Sequence, residues 1–183
     1  MINTDKNLFL NNANNVTVIA SEGRGTGKTW LSLSLAHALN LQGKKVLIID
    51  ADNGMLNTYF QSGNNQSFYL DDAVNNTCTL YQSICSIRKK FDIISAKVGS
   101  DLLENLPIGQ LQLLCDDLCC ITKNYDHVIL DVSNSDKVMH NFIPYGSNII
   151  LLCNNNPSSL VLAYIGKKHG LLQVFHNGFI ISK

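Results

Sequence analysis

A short stretch near the start of the chain has the residue types needed to grip a phosphate: Ser21-Glu22-Gly23-Arg24-Gly25-Thr26-Gly27-Lys28-Thr29. Glycines let consecutive backbone N–H groups turn inward around an anion, and a helix beginning at the end of such a bend adds unpaired donors and a partial positive charge. Lys28 has the length and charge to bridge outer phosphates, and the Thr29 hydroxyl is of a type that ligates Mg2+. Gly23, Arg24, Gly25, Thr26, Gly27, Lys28, Thr29 and Trp30 are therefore the candidate nucleotide-binding residues. The bend departs from the usual pattern at Glu22, where a glycine is customary. A carboxylate facing a phosphate across about 6 Å costs roughly 3 kcal/mol at an effective dielectric near 20. Either Glu22 turns away, held by Arg24, or binding is weakened.

Phosphoryl chemistry also needs acids that steady a metal and orient water. Three aspartates lie where buried strands should end. Lys45-Val46-Leu47-Ile48-Ile49-Asp50 is a continuous apolar run closing on Asp50, with Asp52 two residues on, and His127-Val128-Ile129-Leu130 closes on Asp131. With Thr29, Asp50 and Asp131 are the candidate metal-site residues, and Asp52 and Lys28 the candidate catalytic ones. The commoner fate of an aspartate after a strand is a turn or helix cap.

The elements that must position these groups alternate regularly. Val16–Ala20 reads as a strand, Thr26 to about Asn40 as a helix with Leu31, Leu35, Ala38 and Leu39 at helical spacing, and Gly43 as its stop. Further strands are expected at Lys45–Asp50, Phe91–Ala96, His127–Asp131, Asn148–Cys153 and Gly178–Ser182. Asn53–Phe60 reads as a short helix or loop, Tyr69–Val74 and Leu80–Ile87 as short helical turns, and Leu111–Ile121 as an amphipathic helix. Ser158 caps a helix running to about Lys168. This order predicts an α/β fold, a doubly wound, mostly parallel sheet with helices on both faces. Residues 1–15 read as a flexible polar leader and 16–183 as a single domain.

Composition excludes several classes. Among 183 residues, 14 basic and 14 acidic side chains cancel, so there is no clear footprint for nucleic acid. No apolar run approaches the ~20 residues of a membrane helix, and no signal peptide opens the chain, so a cytoplasmic protein is expected. Its six cysteines (Cys78, Cys85, Cys115, Cys119, Cys120, Cys153) lack the paired spacing of a metal site and suit core packing as thiols.

These segments resemble the MinD/ParA family of deviant-Walker ATPases, most of all its FlhG/FleN-type branch of flagellar-number regulators. The likeness lies in Val18 to Leu31 with Leu35–Leu39, in Val46 to Asn57, and in Tyr125 to Asp131 followed by Pro157–Leu160, Ala163 and Tyr164. The resemblance implies a P-loop NTPase fold of the SIMIBI-like kind, with ATP and Mg2+ as cofactors. It implies an ATP-dependent homodimer in which Lys28 and Thr29 hold phosphate and metal, Asp50 and Asp131 support Mg2+ from behind, and Asp52 orients water. It also implies a protein partner, which the sequence does not identify. The family's signature second lysine falls on Gly23 here, and Val132-Ser133-Asn134-Ser135 has no glycine where the family usually has one. The family's later strands and C-terminal amphipathic helix are expected to be missing.

Three functions fit. The first is a slow ATPase switch controlling the position or number of a cellular structure. The second is a non-hydrolysing scaffold relative, favoured by Glu22, Gly23 and the altered stretch after Asp131. The third is a small-molecule kinase or ligase on the same fold, which no substrate-binding insertion supports.

Overall fold

The structure, a computed structural model, describes residues 15–21, 25–52, 54–60, 67–132, 148–152, 173–174 and 179–182. In chain order these form β1 (Val16–Ser21), α1 (Lys28–Leu41), β2 (Val46–Ala51), α2 (Met55–Phe60), α3 (Leu70–Val74), a 3-10 turn (Leu80–Ser83), β3 (Cys85–Arg88), β4 (Phe91–Ser95), α4 (Leu102–Asn105), α5 (Ile108–Thr122), β5 (His127–Val132), β6 (Asn148–Leu152), β7 (Gln173–Val174) and β8 (Phe179–Ser182).

The described strands make one sheet in the order β3-β4-β2-β5-β1-β6-β8-β7. Its centre, β4-β2-β5-β1-β6, is wholly parallel, and the pairings toward its edges are antiparallel. After β1 the chain moves to one side of the sheet, and after β5 it crosses to the other side of β1. Open α/β sheets bind ligands beyond the strand ends at such a reversal.

Apolar runs without alternation arise because both faces are covered. On one face Val18, Leu47, Ile49, Val128 and Leu130 pack with Leu111, Leu114, Cys115, Leu118 and Ile121 of α5. On the other, Ile19, Ile48, Ile93 and Ile129 pack with Ala36 of α1 and Leu56 of α2. Asp116 and Asp117 of α5 face water.

Two expectations need correction. Leu80–Ile87 is not a pair of helical turns: Thr79 caps a single 3-10 turn through the Gln82 N–H, and the chain then extends into β3. Cys85 and Ile87 pack against the core while Ser86 and Arg88 stay exposed, and a tight turn with Lys90 at φ +64° returns the chain into β4. Four residues are too few for alternation to be read against a helical pattern. The closing strand forms as β8, antiparallel to β6. Secondly, Ala38 is exposed, while Leu31, Leu35 and Leu39 pack against the core beside the fully buried Ser32 and Ala36. The helix expected from Ser158 to about Lys168 and the stretch after Val132 lie outside the described residues.

Cys115 is buried, and the described cysteines are free thiols. Burial pushes the Cys115 thiol up to about 12 and Cys119 up to about 11, which makes them poor thiolates. Among the described residues no helix is long and apolar enough to cross a membrane.

Ile49 is wholly buried in a central strand. Ile49→Ala should cost about 2–5 kcal/mol. Urea titration should show the midpoint falling with an unchanged slope, since the surface exposed on unfolding is almost the same.

Candidate functional site

The carboxyl ends of β1, β2 and β5 meet at the reversal point. Parallel register sets Asp50 of β2 directly beside Asp131 of β5, and Ile19 of β1 pairs with Asp131 from the other side. Beyond β1, Gly25 and Gly27 take left-handed φ values of +76° and +88°. Among the described residues a Cβ on either would meet no atom within 4 Å, so the left-handed backbone is what calls for glycine there. Gly27 caps α1, its carbonyl accepting from the Leu31 N–H at 2.9 Å. Gly23 and Arg24, and with them Glu22, lie outside the described residues.

Lys28, the first residue of α1, turns inward and is only 7% exposed. Its Nζ donates to Asp52 Oδ2 at 2.7 Å and lies 3.5 Å from Asp131 Oδ1. Burial lowers the pKa of this ammonium, but the charges of Asp131 and Asp52 outweigh that effect and leave it above the ordinary lysine value. Asp131 is fully buried, and among the described residues neither carboxylate oxygen has a hydrogen-bond partner of good geometry. Burial pushes its carboxyl above the usual range, opposed by Lys28 and by the Thr29 hydroxyl beside it.

Asp50 is held differently. Its Oδ1 accepts from the Asp52 N–H at 3.1 Å and its Oδ2 from the Leu56 N–H at 3.0 Å, tying the end of β2 to the start of α2. Burial first and the Asp131 charge second still push it up to about 7, against those two donors. The structure thus brings Lys28, Thr29, Asp50, Asp52 and Asp131 together. Thr26 and Gly25 sit on the bend, whereas the Trp30 side chain is 68% exposed and points to solvent.

Sequence reasoning missed the parts that support this cluster. Gly54 sits at φ +72°, where a Cβ would lie 2.5 Å from the Ala96 carbonyl oxygen and from the Lys97 carbonyl carbon and oxygen. The loop it touches is held from behind by Asp71, which accepts from the Lys97 N–H at 2.7 Å and from the Ser100 hydroxyl. Glycine after Asp-Asn hinted at a turn, but no local pattern announces a contact with a loop some forty residues away. The Ser32 hydroxyl, buried on the line of α1 that carries Lys28, has no hydrogen-bond partner among the described residues.

Chemically, the cluster sets three carboxyl groups against one ammonium. A buried carboxylate whose described contacts are an ion pair with Lys28 and the Thr29 hydroxyl offers hard oxygens of the kind suited to a small divalent cation. No group of three or more His, Cys, Asp or Glu among the described residues is arranged to hold a metal directly.

A glycine-cradled bend, a buried lysine and paired strand-end acids on a reversing parallel sheet define a nucleotide-binding α/β domain. Residues 17–156 match the CobQ/CobB/MinD/ParA nucleotide binding domain, and the chain belongs to that family. It is similar to the antiactivator FleN of Pseudomonas aeruginosa, with 28% identity over 85% of this chain and 59% of that one. It is also similar to the flagellum site-determining protein YlxH of Helicobacter pylori, with 23% identity over 89% and 56%. The chain thus spans little more than half the length of these curated relatives. A putative plasmid partition protein of Borrelia burgdorferi B31, solved bound to AMPPNP, shares the fold with a TM-score of 0.70 at 21% identity, covering 85% of this chain and 69% of that one.

Two measurements probe this geometry. Gly54→Ala forces a methyl group into backbone at a left-handed position and should destabilise the chain by about 2–4 kcal/mol in urea titration. For Asp50, a carboxyl with a folded pKa raised to about 7 takes up a proton on folding. Its contribution is therefore full below its unfolded value near 4 and is lost as pH rises through 7. The stability of Asp50→Asn relative to wild type should accordingly rise from pH 5 to pH 8.

Proposed function

We propose that the chain is an ATP- and Mg2+-dependent nucleotide switch of the MinD/ParA type, with the triphosphate in the bend between β1 and α1. The observation that carries this reading is Lys28, a nearly buried ammonium at the mouth of a glycine bend, paired at 3.5 Å with a buried carboxylate that has no hydrogen-bond partner among the described residues. Lys28 would move to the outer phosphates, and the backbone of Gly23, Arg24, Gly25, Thr26 and Gly27, with the N–H groups of Thr29 and Trp30, would line them. Asp131 and Asp50, with the Thr29 hydroxyl, fit the water shell of Mg2+, because their oxygens are hard, buried and, at Asp131, unsatisfied. Bound there, the ion would neutralise charge developing on the transferred phosphoryl group. Asp52, released from Lys28, has the position to orient the attacking water. The bound AMPPNP of the Borrelia protein supports ATP as the nucleotide, and the names of the two curated relatives support a role in placing or counting a cellular structure. In this reading the protein is cytoplasmic, dimerises with ATP and acts on a protein partner.

A second reading, binding without hydrolysis, is favoured by Gly23 in the place of the family's signature lysine. Calorimetry with Mg-ATP tests the site. Lys28→Ala should weaken binding by on the order of 10–100-fold, the value of a charge-assisted contact. Steady-state phosphate release then separates the two readings. Turnover that Asp52→Ala abolishes, with binding kept, supports the switch; tight binding with no turnover supports the scaffold. If turnover is absent and Gly23→Lys restores it, the missing lysine was the sole defect.

A further inference from the structure

We infer that Asp52 makes phosphate binding conditional on a divalent cation, by competing with phosphate for Lys28. This rests on the nucleotide reading above and names the residue that sets the metal requirement of that site.

The Lys28 ammonium is 7% exposed and the Asp52 side chain 19% exposed, and they meet at 2.7 Å. The pair sits in a partly desolvated place, where charge–charge terms are stronger than at an open surface. Asp131 Oδ1 lies 3.5 Å from the same nitrogen, so one ammonium already serves two carboxylates. Asp50 adds a third acid, with its oxygens engaged by the N–H groups of Asp52 and Leu56.

A bare polyphosphate entering the bend would have to draw Lys28 away from Asp52. It would then lie beside two carboxylates that have lost their shared counter-charge. The gain of one ion pair is offset by the loss of another and by new repulsion. A phosphate arriving with a divalent cation brings compensation for Asp131 and Asp52, and Lys28 can be handed over. The metal requirement therefore follows from the chain's own charge pairing as well as from the preference of the phosphate. Asp52 is the member to alter, since its carboxylate makes no described bond except to Lys28, while its backbone N–H stays anchored on Asp50.

The test compares wild type with Asp52→Asn and Asp52→Ser, each of which removes the charge. Binding of ATP and of inorganic tripolyphosphate is measured by calorimetry in Mg2+ and in EDTA. Wild type should bind at least about 100-fold more weakly in EDTA. Both variants should regain about 10-fold or more of the EDTA affinity, with the Mg2+ affinity changed less than about 3-fold. Asp52→Glu should restore the wild-type gap. A second readout needs no ligand: acetylation of Lys28 by an amine-reactive ester, followed by mass spectrometry against exposed Lys44, should rise several-fold once the charge at position 52 is gone. Binding with an unchanged gap and unchanged Lys28 labelling overturns the inference alone. Binding by no variant in either buffer overturns the nucleotide reading, and this inference with it.

Discussion

The structure depends on one desolvated ammonium. A buried lysine without compensation would lose its proton or unfold its surroundings, because removing its charge from water costs several kcal/mol. Lys28 is compensated by Asp52 and Asp131, and these acids are in place only because β2 and β5 run parallel and in register. The order of the sheet is thus a condition of the charge balance. The same register sets Asp50 against Asp131; burial first pushes both carboxyls up, with the Asp131 charge adding to it at Asp50 and the Asp52 charge at Asp131. The cluster is left with more carboxyl groups than cations, three against one ammonium.

Support for this balance is layered. Asp50 fixes the backbone of Asp52 and the start of α2. Gly54 lets that turn press on the strand-exit loop at Ala96 and Lys97. Asp71 at the start of α3 secures the loop from the far side, and Asp72 adds an exposed pair with Lys97 at 2.6 Å. The exposed pair contributes little by itself, whereas the buried Asp71 acceptors satisfy backbone and hydroxyl donors that would otherwise be stranded.

The parts legible in the sequence were those with strong local signatures. Continuous apolar runs ending in Asp50 and Asp131, and a glycine bend ending in Lys28 and Thr29, identified the central strands and the members of the cluster. The resemblance to the MinD/ParA family, read from the same segments, agrees with the domain match over residues 17–156. Signals that depend on distant partners were not legible. The four residues of β3 take their conformation from β4 and the core, not from their own pattern. The antiparallel sense of β8 is a matter of which edge it reaches. On α1 the spacing of Leu31, Leu35 and Leu39 marked residues that pack on the core, whereas Ala38 is exposed and the fully buried Ser32 and Ala36 carried no apolar signal of that strength. Asp52 could be placed near the cluster from sequence, but its bond to Lys28 belongs to the folded chain.

The missing side chain at position 54 has a mechanical meaning. With backbone from Ala96 and Lys97 already where a methyl would lie, the turn after β2 and the exit from β4 are wedged together like adjacent teeth of a gear. Displacing the segment that carries Asp52 must push on the Lys97–Ser100 bend, and through Asp71 on α3. The end of β2 and the start of α3, well separated in sequence, are thereby braced against one and the same bend.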